Sequence, residues 1–219
     1  RDDVESRGLG DVYKRQEWHY KVLWMIIGQP IRILNDKESS VEIRIAENCG
    51  FCYGVKRAVN MAQKTSDQLE RSYTLGPIIH NPQVVSNLEE HGVYAVDSLE
   101  EIPSGTVIIR SHGVGPAVYD EATDKGLKVV DATCPHVKKA QQDAKSVIDS
   151  GMSLVILGEK KHPEVISINL WAQNKGIVIE SEEEAKILPF VENRGVVVQT
   201  TFSQFKFQSI IAVSYTHLR

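Results

Sequence analysis

Short apolar runs alternate with helical patterns along most of the chain from residue 41 onward. The runs are rich in Val and Ile and lack the apolar–polar alternation of half-exposed strands, which predicts parallel strands covered by helices on both faces. Such alternation of strands and helices predicts an α/β fold built of parallel-sheet βα units. The predicted strand–helix pairs are residues 41–46 and 54–69, 73–75 and 82–91, 106–109 and 116–125, 128–130 and 135–150, 154–157 and 163–173, 177–179 and 181–188, and 196–198 and 203–211.

Both ends of the chain depart from this pattern. The first sixteen residues, RDDVESRGLGDVYKRQ, are charged and show no period, and the last seven, VSYTHLR, interrupt a helical pattern without a helix-ending residue. We interpret 1–16 and 213–219 as translated read-through and exclude them from the fold; a disordered native tail is the alternative. The domain prediction is therefore a flank at 1–40, a first α/β unit at 41–134 and a second at 135–212.

Composition narrows the class of protein. The 219 residues carry a formal net charge of −4, so no surplus of Lys and Arg exists to neutralise the phosphates of a nucleic acid. Three cysteines, an odd number, favour a reducing compartment over a disulfide-bonded secreted protein. The apolar segment at 22–33 is too short, and too interrupted by Gly28, Pro30 and Arg32, to span a bilayer. We predict a cytoplasmic protein with no nucleic-acid or membrane partner.

Chemically active side chains follow six of the seven predicted strands. In parallel α/β sheets, ligands bind beyond the carboxyl ends of the strands, so these side chains are expected to share one site. A lone His or Cys in a loop carries little weight by itself. The residues, in strand order, are Cys52; His80; His112; Cys134 and His136; His162 and Glu164; and Gln199, Thr200 and Thr201.

The types of these side chains suggest two kinds of chemistry. Thiols near helix N-termini are biased towards thiolate and suit a soft metal centre. Histidines with hydroxyls and little carboxylate describe an anion pocket that can hold a diphosphate. Glu164 stands among these donors as a candidate proton source, although an acid in the first turn of a helix is also favoured for structural reasons.

The segment NCGFCYGVKRAV, residues 48–59, allows several interpretations of its two cysteines. Cys49 and Cys52 fit the local pattern of a thioredoxin-like dithiol. They could also join Cys134 and His136 in a zinc site, although the CPH spacing is tighter than usual. A third interpretation is an iron–sulfur cluster on Cys52 and Cys134. For Cys49 we favour a packing role without a ligand.

Six collinear motifs resemble the 4-hydroxy-3-methylbut-2-enyl diphosphate reductase (LytB/IspH) family, the last enzyme of the non-mevalonate isoprenoid route. The resemblance runs from about residue 41 to about residue 212. The motifs are GFCYGVKRAV, LGPIIHNPQVVSNLEEHGV, RSHGV, VVDATCPHV, GEKKHPEV and VVVQTTFS.

The resemblance implies a cofactor and a substrate. Family members hold an oxygen-sensitive [4Fe-4S] cluster on three cysteines and leave one iron for the substrate, and Cys52 and Cys134 match two of these ligands. His80, His112 and His162 match the contacts to the substrate diphosphate.

The resemblance also implies a reaction. Glu164 matches the proton donor, and Thr200 matches its partner in the proton relay and in substrate positioning. Electrons from ferredoxin or flavodoxin would then convert 4-hydroxy-3-methylbut-2-enyl diphosphate to isopentenyl and dimethylallyl diphosphate by reductive dehydroxylation.

Two departures from the family limit the activity that we expect of this chain. Cys49 matches no family ligand, and the third cysteine belongs to a third α/β unit that this sequence does not include. We therefore expect two of three pseudo-symmetric units, and a polypeptide that cannot assemble a normal active site by itself. The alternative is a non-enzymatic cofactor-binding or interaction module, or a CxxC thiol–disulfide or zinc protein.

Overall fold

The structure is a computed structural model that describes residues 32–33, 41–42, 50–66 and 71–217, with side chains for 50–66 and 71–213. The chain divides into two compact units, Arg1–Cys49 and Gly50–Arg219. Within the described part of the first unit, strands β1 (Arg32–Ile33) and β2 (Val41–Glu42) pair with each other.

The pairing of β1 with β2 is antiparallel, with Ile33 opposite Val41. The prediction of a parallel strand at 41–46 is therefore wrong for its first two residues. A short connection can join antiparallel strands, whereas a parallel pair needs a crossover of a dozen or more residues. Residues 43–49, including Cys49, lie outside the described part of the chain, as do the residues predicted as read-through at 1–16.

Two parallel sheets form the second unit and confirm the α/β fold class. The first sheet has the strand order β4-β3-β5-β6 and the second has the order β8-β7-β9, with every pair parallel. Both sheets thus begin with the same order, in which the first strand of the group lies between the second and the third. The strands are β3 (Ser72–Leu75), β4 (Val93–Val96), β5 (Thr106–Ile109), β6 (Lys128–Asp131), β7 (Ser153–Leu157), β8 (Ile177–Ile179) and β9 (Arg194–Val198).

Four of the helices begin at a proline, where the missing N–H removes no helical hydrogen bond and the fixed φ fits the first turn. This is why the predicted helix starts agree with the structure. The helices are α1 (Tyr53–Ser66), α2 (Pro82–Glu90), α3 (Pro116–Asp124), α4 (Pro135–Asp149), α5 (Pro163–Trp171), α6 (Glu182–Lys186) and α7 (Gln204–His217).

Helices cover both faces of the first sheet. All four residues of β5 are buried. Ile108 packs in a cluster with Ala58 of α1 and Leu88 of α2, whereas its neighbour Val107 packs with Ala122 of α3. Successive strand residues point to opposite faces, so an apolar run without alternation is what a sheet covered on both sides requires.

In the second unit, two elements and one helix end were missed by the pattern. Strand β4 has two exposed residues at its centre, although all four of its residues are apolar, and a 3-10 helix follows it at Leu99–Glu101. Helix α7 continues to His217, past the predicted end at 211. Within the described residues, no helix is both long enough and apolar enough to cross a membrane.

Candidate functional site

Hydrogen bonds continue from strand to strand beyond the carboxyl ends of the first sheet. The Ser111 N–H donates to the Ile78 carbonyl at 3.2 Å, and the Cys134 N–H donates to the Ser111 carbonyl at 2.9 Å. The buried Ser111 hydroxyl also donates to the Ile78 carbonyl, at 3.0 Å. These bonds hold the loops that carry His80, His112 and Cys134 in register.

Three of the predicted strand-end histidines meet in a cluster, which we call the histidine triad: His80, His112 and His162. One ring nitrogen from each lies within 4.8 Å of the others. The ring centroids are 4.6 Å apart for His80 and His112, 5.3 Å for His112 and His162, and 6.0 Å for His80 and His162. His80 is exposed and the other two are partly buried, so the triad is open to a ligand from one side.

Helix α5 brings His162 from the second sheet to the loops of the first. The buried Ser167 hydroxyl lies 2.9 Å from both the His112 carbonyl and the Glu164 carbonyl, and it accepts a hydrogen bond from Gln141 Nε2 at 3.1 Å. One turn later, Trp171 Nε1 donates to the Val114 carbonyl at 2.9 Å.

Burial and neighbouring charge keep His112 neutral. Burial, followed by repulsion from His80, His162 and Arg110, lowers the pKa of His112 from 6.5 to about 4. Its Nδ1 is buried and has no hydrogen-bond partner among the described residues. A bound anion would supply the negative charge that this arrangement lacks.

Glu164 and Thr200 form a bidentate pair beside the triad. The Glu164 side chain is 2% exposed, and its carboxylate accepts the Thr200 N–H at 2.6 Å and the Thr200 hydroxyl at 2.9 Å. Thr200 itself is exposed. The pair places a buried carboxyl group next to the hydroxyl of an exposed residue, an arrangement through which a proton can move.

Two predicted strand-end residues hold the loop after β9 instead of facing the triad. Gln199 is 4% exposed; its Oε1 accepts the Glu159 N–H and its Nε2 donates to the Thr201 hydroxyl, both at 2.9 Å. Gln199 and Thr201 thus fix the loop in which Thr200 lies.

The Cys134 thiol lies against the first turn of α1. A Cβ atom on Gly54 would come within 2.5 Å of Cys134 Sγ, so only glycine leaves room for the sulfur there. Arg57, one turn further along α1, donates from Nη1 to the Thr133 carbonyl at 3.1 Å. Cys52, two residues before Gly54, is exposed, and both thiols are free.

His136 does not join a metal-ligating group among the described residues. It lies exposed in the first turn of α4 and lines an open groove of about 540 Å³ beside β9, together with Lys139, Asp143 and Thr200. The histidine triad is the group of described residues with the donor set and the proximity to hold a metal ion.

Several residues that build the site were missed by the sequence interpretation. Ser167 follows Glu164 by three positions on one helix, a spacing that places both on the same face. Gly54 and Arg57 lie in the GFCYGVKRAV motif, and Ser111 precedes His112 in RSHGV. Their partners are backbone atoms and a sulfur from distant segments, which no local pattern reveals.

Comparisons with known proteins show which family the chain resembles. The family model described as LytB protein matches residues 43–218. A 4-hydroxy-3-methylbut-2-enyl diphosphate reductase of Geobacter metallireducens is 49% identical over 74% of this chain and 58% of its own length. The corresponding reductase of Pelobacter propionicus is 46% identical over 78% of this chain and 61% of its own length.

Solved structures show the same similarity. A structure titled as (E)-4-hydroxy-3-methyl-but-2-enyl diphosphate reductase, the terminal enzyme of the non-mevalonate pathway, matches with a TM-score of 0.71 and 41% identity over 80% of this chain and 64% of its own. The reductase structure from Plasmodium falciparum matches with a TM-score of 0.73 and 27% identity over 79% of this chain and 57% of its own. The chain spans about three fifths of the length of the curated relatives that it matches. The match of the family model, together with these relatives, shows that the chain belongs to the LytB family.

Proposed function

We propose that this chain is the part of a 4-hydroxy-3-methylbut-2-enyl diphosphate reductase that binds the substrate diphosphate and holds the proton donor. The whole enzyme would convert 4-hydroxy-3-methylbut-2-enyl diphosphate to isopentenyl and dimethylallyl diphosphate by reductive dehydroxylation in isoprenoid synthesis, with electrons from ferredoxin or flavodoxin. The observation that carries the proposal is the histidine triad beside the Glu164–Thr200 pair.

The hydrogen bonding of the triad favours an anion over a metal. His162 Nδ1 accepts the Glu164 N–H, so the neutral ring carries its proton on Nε2 and offers a donor to a ligand. A metal needs an unprotonated nitrogen, and binding at Nε2 would move the proton to Nδ1 and oppose the Glu164 N–H. A diphosphate accepts hydrogen bonds and leaves that contact in place.

Each residue then has a task in the reaction. His80, His112 and His162 hold the diphosphate, and its remote binding energy orients the allylic alcohol. Glu164 is the proton donor to the departing hydroxyl group, and Thr200 holds the carboxyl group and passes protons to it from solvent.

The thiols fit a metal cluster. Cys52 and Cys134 are soft donors, and Gly54 leaves room for Cys134 Sγ where a larger residue would displace it. They would hold a [4Fe-4S] cluster together with a third thiolate from the part of the family protein that this sequence does not span. When bound, the cluster would supply electrons and Lewis acidity for loss of the hydroxyl group.

Titration of the polypeptide with inorganic pyrophosphate tests the proposal. We expect the ring signals of His80, His112 and His162 to shift in ¹H–¹⁵N NMR spectra, because the anion accepts hydrogen bonds from these rings. The rings of His91 and His136, outside the triad, serve as controls. Equal shifts at all five rings, or none at the triad, would exclude the proposed site; tight binding of Zn²⁺ but not of pyrophosphate would favour a metal site instead.

A further inference from the structure

The two ring nitrogens of His162 have different surroundings. His162 is the N-cap residue of α5, and its Nδ1 accepts the Glu164 N–H at 3.2 Å. Pro163 has no N–H, so the Glu164 N–H is the first donor of this helix that needs an acceptor. Nε2 is therefore the nitrogen that remains for a ligand.

Glu164 is held at three points, and His162 supplies one of them. Its carbonyl lies 2.9 Å from the Ser167 hydroxyl, and its carboxylate accepts two hydrogen bonds from Thr200. The cap fixes the amide of the same residue. The Glu164 backbone, from which the carboxylate extends, is thus held by a ring that belongs to the triad.

We infer that His162 is a positioning residue for Glu164, in addition to its contact with the diphosphate. The neutral ring donates from Nε2 to the anion while Nδ1 caps α5 and holds the Glu164 carboxylate on Thr200. An imidazolium would place a second N–H against that of Glu164 and break the cap. This inference rests on the proposed function, because the triad must bind the diphosphate for the two roles to be coupled.

Two substitutions separate the roles. In His162→Asn the side-chain oxygen can take the place of Nδ1, and Asn is a favoured N-cap residue, whereas His162→Gln retains the reach of Nε2 but caps poorly. The measurements are hydrogen exchange at the Thr200 amide, which donates to Glu164, and the affinity for inorganic pyrophosphate.

The two variants should behave in opposite ways. We expect His162→Asn to keep the slow exchange of the Thr200 amide and to weaken pyrophosphate binding about tenfold, a typical effect of losing one hydrogen bond to a charged group. His162→Gln should retain more of the affinity and accelerate the exchange about fivefold, a typical effect of losing an N-cap. Ser98→Ala, which removes the N-cap of the 3-10 helix at Leu99–Glu101, should change neither the exchange of the Thr200 amide nor the affinity for pyrophosphate.

The inference is overturned if the Thr200 amide exchanges equally slowly in both His162 variants, or if both variants change both quantities alike. A ¹⁵N spectrum of the wild-type complex with two protonated nitrogens on His162 would also overturn it. If the wild-type chain binds no pyrophosphate, the proposed function fails, while the exchange measurement still decides whether His162 positions Glu164.

Discussion

At the scale of single residues, the ionisation of His112 depends on its neighbours more than on its own chemistry. Burial is the main cause of its lowered pKa, and the rings of His80 and His162 and the guanidinium of Arg110 add repulsion. A positive charge on His112 would therefore need a counter-anion beside it. Binding of an anion at the proposed site should raise the pKa of His112.

This environment predicts how stability changes with pH. The unfolded chain binds a proton at His112 as the pH falls through 6.5, whereas the folded chain does so only near pH 4. The contribution of His112 to stability is therefore complete above pH 6.5 and is lost as the pH falls from 6.5 to 4, a loss of roughly 2 kcal/mol after screening by solvent.

Urea unfolding at several pH values checks this prediction. His112→Asn should lose less stability between pH 7 and pH 4.5 than the wild type does, because Asn does not titrate. His136→Asn, which changes an exposed histidine, should follow the wild-type curve. If the stability of the wild type and of His112→Asn falls by the same amount between pH 7 and pH 4.5, His112 is not the cause of the loss and the prediction is wrong.

At the scale of elements, the N-terminal turn of α1 and the loop before α4 form one structural unit. Cys134 Sγ fills the space that Gly54 leaves, and Arg57 donates to the carbonyl of the preceding residue, Thr133. The Cys134 amide is bound in turn by the Ser111 carbonyl. The position of the thiol is thus set by two other elements.

Gly54→Ala is a test in which two effects have opposite signs. Alanine in a helix is favoured over glycine by about 1 kcal/mol, but its Cβ would overlap Cys134 Sγ, and overpacking costs about 1–3 kcal/mol. We expect net destabilisation in urea unfolding and faster alkylation of Cys134 by iodoacetamide. Asn60→Ala, on the exposed face of α1, should be neutral or slightly stabilising. A more stable Gly54→Ala variant would contradict this prediction, because it would show that the loop carrying Cys134 moves to make room for the Cβ atom at no net cost in stability.

At the scale of the whole molecule, the chain offers two of the thiolates that the proposed cluster requires. We expect anaerobic reconstitution of the 219-residue polypeptide with iron and sulfide to give a labile product without substrate turnover, because Cys52 and Cys134 leave the cluster short of a ligand. Iron content, the visible absorption spectrum and turnover are the measurements. A stable cluster with turnover would contradict the prediction.

Cysteine variants distinguish the cluster from the dithiol and zinc alternatives. Iron retention should fall in Cys52→Ser and Cys134→Ser and stay unchanged in Cys49→Ser, which serves as the matched control. Loss of thiol–disulfide exchange in Cys49→Ser would favour the dithiol instead. Cys49 lies outside the described residues, so its role stays a prediction.

The sequence by itself determined the elements and the chemistry at their ends. Uninterrupted apolar runs such as that of β5 require cover on both faces, and prolines such as Pro82 and Pro163 mark the first residue of the helix that follows a strand end. The rule that parallel strands end at one edge then placed His80, His112, Cys134 and Glu164 near a common site. Strand β4 was missed although its four residues are all apolar, because periodicity alone does not distinguish so short a run from helix or loop.

The tertiary structure decided which of these residues meet. Helix α5 brings His162 to the other two histidines of the triad. Hydrogen bonds from Ser167 and Trp171 to backbone carbonyls hold this helix against a loop of the first sheet. The space beside Cys134 depends on Gly54, which lies 80 positions earlier in the sequence. Such contacts depend on packing between distant segments, whereas sequence patterns report only each segment's own periodicity.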